Sequence, residues 1–413
     1  VDGNDATEFT VSQGAVLIIE QGANLETKTF VNNGEVINNG SISMQVDVNE
    51  ANLYTWAYDY LNLKGSGVLI VSQTSGGGIS ATFTNDGKLI NETFTPLDFS
   101  SVTEDKGNLE VDGYFWNHAT KTLTLQNIIL HESSSTVNNS AISLPQGENV
   151  TLELKGYNKI KGFKKFIYQG EPIFDDPNEK IDPSGSLTIK GNGILVGEES
   201  ELGGNYREDV ITTTGKLIVE SGTLNMYSPH KKGILAIGME IKGGNIGSEF
   251  VKSPLISLGD FVMSGGKIIG ADTDGGSIEV FGNMNISAGE IYASGVANAI
   301  DVIGGDLTLT GGKVKVQDSL IGIKLRDGNF AMTGGDVQIY NSNDELSSGI
   351  ALADMMGSNR TFYITGGTVD IKVLMSAFNF MSFRNGSTFS FESDGMNVTT
   401  TPVGGVLRTE TFS

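Results

Sequence analysis

Residues 261–316 repeat one pattern three times: FVMSGGKIIG (261–270), MNISAGEIYA (284–293) and LTLTGGKVKV (307–316). LIVESGTLNM (217–226) and MEIKGGNIG (239–247) precede it, and FAMTGGDVQI (330–339) and FYITGGTVDI (362–371) follow. In each, an apolar stretch runs into a small residue and a glycine, and a second apolar stretch begins. That glycine falls at 222, 244, 266, 289, 312, 335 and 367, in steps of 22, 22, 23, 23, 23 and 32. A period held this closely is the mark of stacked units, and its length suits one turn of a β-solenoid.

A further apolar stretch ending in glycine sits ahead of each unit: GILAIG (233–238), PLISLG (254–259), SIEVFG (277–282), AIDVIG (299–304) and GIKLRDG (322–328). One turn therefore reads strand, glycine bend, strand, Gly-Gly bend, strand, loop. The segments are too short for helices, and their β-branched, alternating character predicts strands throughout. The 32-residue step predicts a longer loop around 341–357 (NSNDELSSGIALADMMG).

Stacking places equivalent residues of neighbouring turns roughly 4.8 Å apart, so like charges there would repel. After the small-Gly corner the series reads Asn245, Lys267, Glu290, Lys313, Asp336, Thr368, and its charges alternate in sign. The next position reads Ile246, Ile268, Ile291, Val314, Val337, Val369, an aliphatic column that must face inward. One register thus predicts an outer charge ladder and an inner core ladder.

The same grammar reaches back through LNLKGSGVLIV (61–71), LELKGYNKIKG (152–162) and LTIKGNGILVG (187–197), and VNNGEV (31–36) with INNGSI (37–42) forms a doubled six-residue unit. Residues 43–60 and 163–183 read as interruptions, the second as a surface loop rich in Pro and acids. A hairpin is expected at YFWNHATKTLTL (114–125), with Trp116 just before its turn. The expected organisation is a cap with an aromatic insertion over 1–110 and the main body over 111–413.

With 413 residues, 38% of them hydrophobic, the chain can bury a long core, and 55 glycines against 8 prolines fit neither collagen nor disorder. A net charge of −22 repels nucleic acid and anionic membranes. No apolar run approaches the eighteen or so residues that span a bilayer, and Val1 opens the chain without a signal-peptide pattern, so we expect a soluble, trimmed chain. Zero cysteines exclude disulfides, thiolate catalysis and Cys-ligated zinc. With His118, His131 and His230 alone, a multi-histidine metal site or a histidine triad is not expected.

The segment YFWNHATKTLTLQNIIL, then NSAISLPQGENVTLELKGYNKIKG and the GG units, resembles the β-helical carbohydrate-binding domain proteins secreted or displayed by anaerobic and gut bacteria. The resemblance covers roughly 111–413. It implies a right-handed parallel β-helix, similar in shape to pectate lyases, and a partner among acidic or cellulosic polysaccharides, with calcium as the ion involved. Its motifs are architectural and speak for fold more than activity.

Three groups of residues could carry chemistry. Tyr54, Trp56, Tyr58 and Tyr60 alternate with Thr55, Ala57 and Asp59, so in a strand the four rings share one face. Such a face stacks sugar rings or packs down as a lid over the core. Glu279, Asp301 and Lys324 hold one strand position in three successive turns. Adjacent carboxylates raise each other's pKa unless a cation lies between them, so the pair reads as a calcium site with Lys324 as a base, or as a solvated charge ladder. Asp272 and Asp274 in ADTDGG have the i, i+2 spacing of oxygen-ligand loops, without the closing glutamate of an EF-hand, and Asp175, Asp176, Glu179 and Asp182 form another acidic loop; both also suit plain turns.

Together these features lead us to expect an all-β, right-handed parallel β-helix, extracellular or on a bacterial cell surface. It would present a glycan-binding or adhesive surface to a polysaccharide or host or plant glycan, without catalysis. The alternatives are a calcium-dependent lyase or a glycosidase with paired carboxylates, and a passive shaft.

Overall fold

The computed structural model describes residues 91–382 except 94, 133–139, 173–182, 199–208, 228–231, 249–254, 274–277, 296, 342–347, 355–359 and 374–375. Outside that span it describes 9–12, 15–19, 24–27, 30–32, 35–38, 41–46, 63–64, 68–73, 80–84, 389–393, 398–400 and 407–410. The regular structure is all β, with no helix among the described residues. One sheet of 30 strands runs from Asn91–Thr93 to Leu407–Glu410, and smaller sheets of 2, 3 and 4 strands hold the strands before it.

Three parallel series make up most of the large sheet. A long strand such as Leu307–Gln317 supplies two of them, one on each side of its Gly-Gly corner, and a short strand such as Ile321–Leu325 supplies the third. In the first series Met284 pairs with Leu307 and Leu307 with Phe330. In the second, Lys267, Glu290, Lys313, Asp336 and Thr368 are partners in turn. In the third, Ile278, Ile300, Ile323 and Ile350 follow one another. Each segment thus bonds to its counterpart one sequence repeat away, the register expected from the spacing.

The inward column Ile246, Ile268, Ile291, Val314, Val337 and Val369 is buried along its whole length. Lys267 and Glu290, one residue earlier, keep 40% and 44% of their side chains exposed. All three series feed one hydrophobic cluster that extends from Leu97 to Phe378. Phe261, Phe330 and Phe362 hold equivalent first-series positions and are fully buried, and the last two stack with centroids 4.6 Å apart.

The Gly-Gly corner uses its two residues differently. Gly335 has φ +95°, a backbone state costly for any residue with a Cβ. Gly334 lies so close to the preceding repeat that a Cβ would sit 2.4 Å from the Thr310 carbonyl oxygen. Register shifts in the pairing fall at these corners.

Two stretches depart from expectation. The segment 341–357 is not one long loop, because Ser348–Asp354 within it is a third-series strand paired with Ile321–Leu325. Likewise 163–183 contains the strand Lys165–Gln169, which pairs with Ser140–Ser143 and Asp209–Val219. Lys164, Lys165 and Tyr168 around them hid the apolar Phe166 and Ile167, which are fully buried, and Lys165 is itself buried with its Nζ 2.8 Å from Glu171. The hairpin is where the sequence places it: Tyr114–Asn117 runs antiparallel to Thr122–Gln126, with Trp116 opposite Leu123. Trp116 is fully buried and stacks on Phe99 at 5.1 Å, so the ring belongs to the core.

Candidate functional site

Parallel register brings polar side chains from distant repeats onto the outer side of each series. On the third series Glu279 pairs with Asp301 and Asp301 with Lys324, as the spacing predicts. The partner of the aspartate is Arg326, which the sequence reading did not single out. Its Nε donates to Asp301 Oδ1 at 3.0 Å and its Nη2 to Oδ2 at 2.6 Å, while Asn298 Nδ2 donates to Oδ2 at 2.9 Å. The Asp301 side chain is 3% exposed and that of Arg326 35%. The bond to Asp301, together with the charges of Asp301, Glu279 and Asp327, raises the guanidinium pKa against the opposing effect of burial. The carboxylate pair of this ladder therefore has a built-in cation. Arg326 lies two residues beyond Lys324 in GIKLRDG, on the same outward parity, which was the available signal.

Asp272 lies in the strand Phe261–Thr273, and its side chain is outside the described residues, as is Asp274. Tyr54, Trp56, Tyr58 and Tyr60, and the acids at 175, 176, 179 and 182, also fall outside them. Among the described residues no group of three or more His, Asp or Glu side chains is placed to hold a metal ion.

The outer side of the second series carries tyrosines joined to the next repeat. Tyr340 Oη donates to Asp370 Oδ2 at 2.7 Å, and Lys372 Nζ lies 3.6 Å from the same oxygen and 5.0 Å from the Tyr340 ring centroid. The Asp370 bond, with burial and the charges of Asp370 and Asp336, pushes the Tyr340 phenol up to about 12. One half of this arrangement recurs at Tyr292, whose hydroxyl donates to Gln317 with Lys315 Nζ 5.4 Å from its ring centroid. Lys267 and Glu290 approach to 3.6 Å, and Asp336 accepts from Gln338 Nε2 at 2.8 Å and Thr368 Oγ1 at 2.7 Å.

The lower end of the first series holds a charge network. Lys216 Nζ is 2.8 Å and Lys242 Nζ 3.5 Å from Glu240, and Lys242 is 3.8 Å from Glu220. The hydrogen bond from Lys216 holds the Glu240 carboxyl below the usual range, against a smaller opposing effect of burial.

Between third and first series runs a ladder of Asp260, Asn283, Asp306 and Asn329. The backbone NH of Asn283 donates to Asp260 Oδ1 at 2.9 Å, that of Asp306 to Asn283 Oδ1 at 3.1 Å, and that of Asn329 to Asp306 Oδ1 at 2.8 Å. Asn283 Nδ2 and Asn329 Nδ2 also donate to the Asp below, at 3.2 and 3.0 Å. Its trace in sequence is Gly-(Asp/Asn)-apolar at LGDF, FGNM, GGDL and DGNF.

These outer surfaces can bind by hydrogen bonding and ring contact, and their charged groups are largely committed to one another. None of the protein-family models, curated proteins or solved structures compared with the chain matches it.

Proposed function

We propose that the chain winds as a right-handed parallel β-helix whose outer faces bind glycan at a bacterial surface or outside the cell, without catalysis. The winding is supported by three parallel series that advance together by one repeat and share one core. The observation that carries the non-catalytic reading is the pairing of outward charges. A lyase needs its acids free for a metal and a lysine free as a base, whereas Asp301 is held by Arg326 at 2.6 Å. The perturbed groups also move away from neutrality: Glu240 downward, Arg326 upward, Tyr340 to about 12. Acid–base catalysis at neutral pH favours shifts toward it.

The test is a glycan array read with and without EDTA, alongside polygalacturonate with Ca²⁺ followed by the ultraviolet absorbance of unsaturated ends. Retention of glycan without new absorbance is the expected result. Steady product that disappears in Lys324→Ala would establish a lyase instead, and retention by no glycan would leave a passive shaft. For the aromatic row, Trp56→Ala should abolish retention at an unchanged melting temperature if the rings form a sugar platform; a large fall in melting temperature would mark a packed lid.

A further inference from the structure

The outer side of the first series changes character at Val262. Just before it, Glu240 sits in the Lys216–Glu240–Lys242 network and pairs in register with Val262. From there the outward column runs Val262, Asn285, Thr308, Ala331, Tyr363 in register, and beside the corner, where the register shifts, stand Ser264, Ser287, Thr310, Thr333 and Thr365. These two columns thus carry no charge over five repeats in a chain of net charge −22, and the exposed carboxylates Asp260 and Asp306, two residues before Val262 and Thr308, border them, held by the amides of Asn283 and Asn329. In the same repeats the second series carries Lys267, Glu290, Lys313 and Asp336, and the third Glu279, Asp301 and Lys324. Asn285, Ser287, Thr310 and Thr333 are exposed, and Tyr363 is 37% exposed beside them.

We infer that this face binds a neutral, hydroxyl-rich polysaccharide along the stack without a metal ion, an inference that rests on the glycan-binding reading above. Bringing an ionised side chain against a neutral polymer costs its hydration with no opposite charge in return, so a face for such a ligand keeps charge off. Hydroxyl and amide groups at successive strands both donate and accept, as sugar hydroxyls require, and the Tyr363 ring offers an apolar face to a sugar C–H surface. Size separates this occupant from a second copy of the chain. Five strands about 4.8 Å apart and two outward columns about 7 Å apart make a strip of roughly 19 by 7 Å, far below the ~800 Å² per partner of a stable protein interface. One extended polymer chain fits such a strip.

The experiment is retention on insoluble cellulose and on soluble xyloglucan, with polygalacturonate as the acidic comparison, each with and without EDTA. Thr308→Glu/Thr310→Glu should lower retention on the neutral glycans about tenfold or more, with the melting temperature and EDTA response unchanged. Tyr363→Ala, which adds no charge, should lower it also, and Lys315→Glu on the second series should leave it intact. Neutral-glycan retention that survives both first-series variants, is lost in Lys315→Glu, or needs a divalent ion overturns the inference while glycan binding stands. Retention on polygalacturonate alone does the same, and retention on none of the three ends both.

Discussion

Arg326 and Asp301 share an ion pair but not an environment. The Asp301 side chain is 3% exposed and that of Arg326 35%. If Arg326 is truncated, a carboxylate is left with no water and no cation, a loss of about 3–5 kcal/mol. If Asp301 becomes Asn, the guanidinium can turn toward solvent and Asn298 keeps a carbonyl acceptor, so the cost is about 1–2 kcal/mol. Urea midpoints of Arg326→Ala and Asp301→Asn should therefore differ, the arginine variant being the weaker; equal losses would mean that the pair is not buried as described. Tyr340 makes a pH-dependent statement. Its folded pKa of about 12 lies above the ordinary value of 10, so its contribution to stability is complete below that value and disappears as pH rises through the folded one. Tyr340→Phe should flatten the loss of stability between pH 10 and about 12, and should remove a phenol that ionises near 12 from a tyrosinate absorbance titration.

The Asp260–Asn283–Asp306–Asn329 ladder ties each corner between third and first series to the same corner of the next repeat. Four aspartates about 4.8 Å apart would repel, whereas alternation lets each Asn amide donate to the Asp beside it. Asp306 Oδ1 accepts from both the backbone NH and Nδ2 of Asn329, at 2.8 and 3.0 Å. Asp306→Ala removes the acceptor of both bonds and should cost about 1–2 kcal/mol, while Asp306→Asn keeps a carbonyl in place and should cost less. Calorimetric midpoints of the two variants check this, and identical losses would argue that the ladder follows from the corner rather than supporting it. At the Gly-Gly corner the second residue needs positive φ and is glycine in every repeat, whereas the first accepts Ser221 and Ala288 in two of them.

For the molecule as a whole, contacts join each repeat mainly to its neighbours, so damage should stay near its origin. Val314 is fully buried between Ile291 and Val337. A carboxylate there has no partner and costs several kcal/mol, more than one repeat can absorb. Val314→Asp should abolish hydrogen-exchange protection over the strands Met284–Gly295, Leu307–Gln317 and Phe330–Tyr340 while Asn149–Lys155 and Ser186–Gly191 remain protected. Uniform loss along the chain would show a single cooperative unit instead.

Periodicity alone determined the strands flanking the repeated glycine corners, their register, and the split between the inner column of Ile268, Ile291 and Val314 and the outer row of Lys267, Glu290 and Lys313. A fixed repeat with Gly corners leaves one alignment in which apolar residues stay inside and charges alternate. It also placed Glu279, Asp301 and Lys324 on one line. Only the tertiary structure decided what those residues touch: Arg326 sits one strand away from Asp301, and a guanidinium's reach is a matter of side-chain geometry that spacing does not encode. The same holds for Asn158, which shares a register line with Leu195 and is fully buried because Nδ2 finds the carbonyls of Lys155 and Ile194 at 3.0 and 3.2 Å. Backbone acceptors left over at a corner appear when the chain has closed around them, so a polar residue there is legible only once the fold exists.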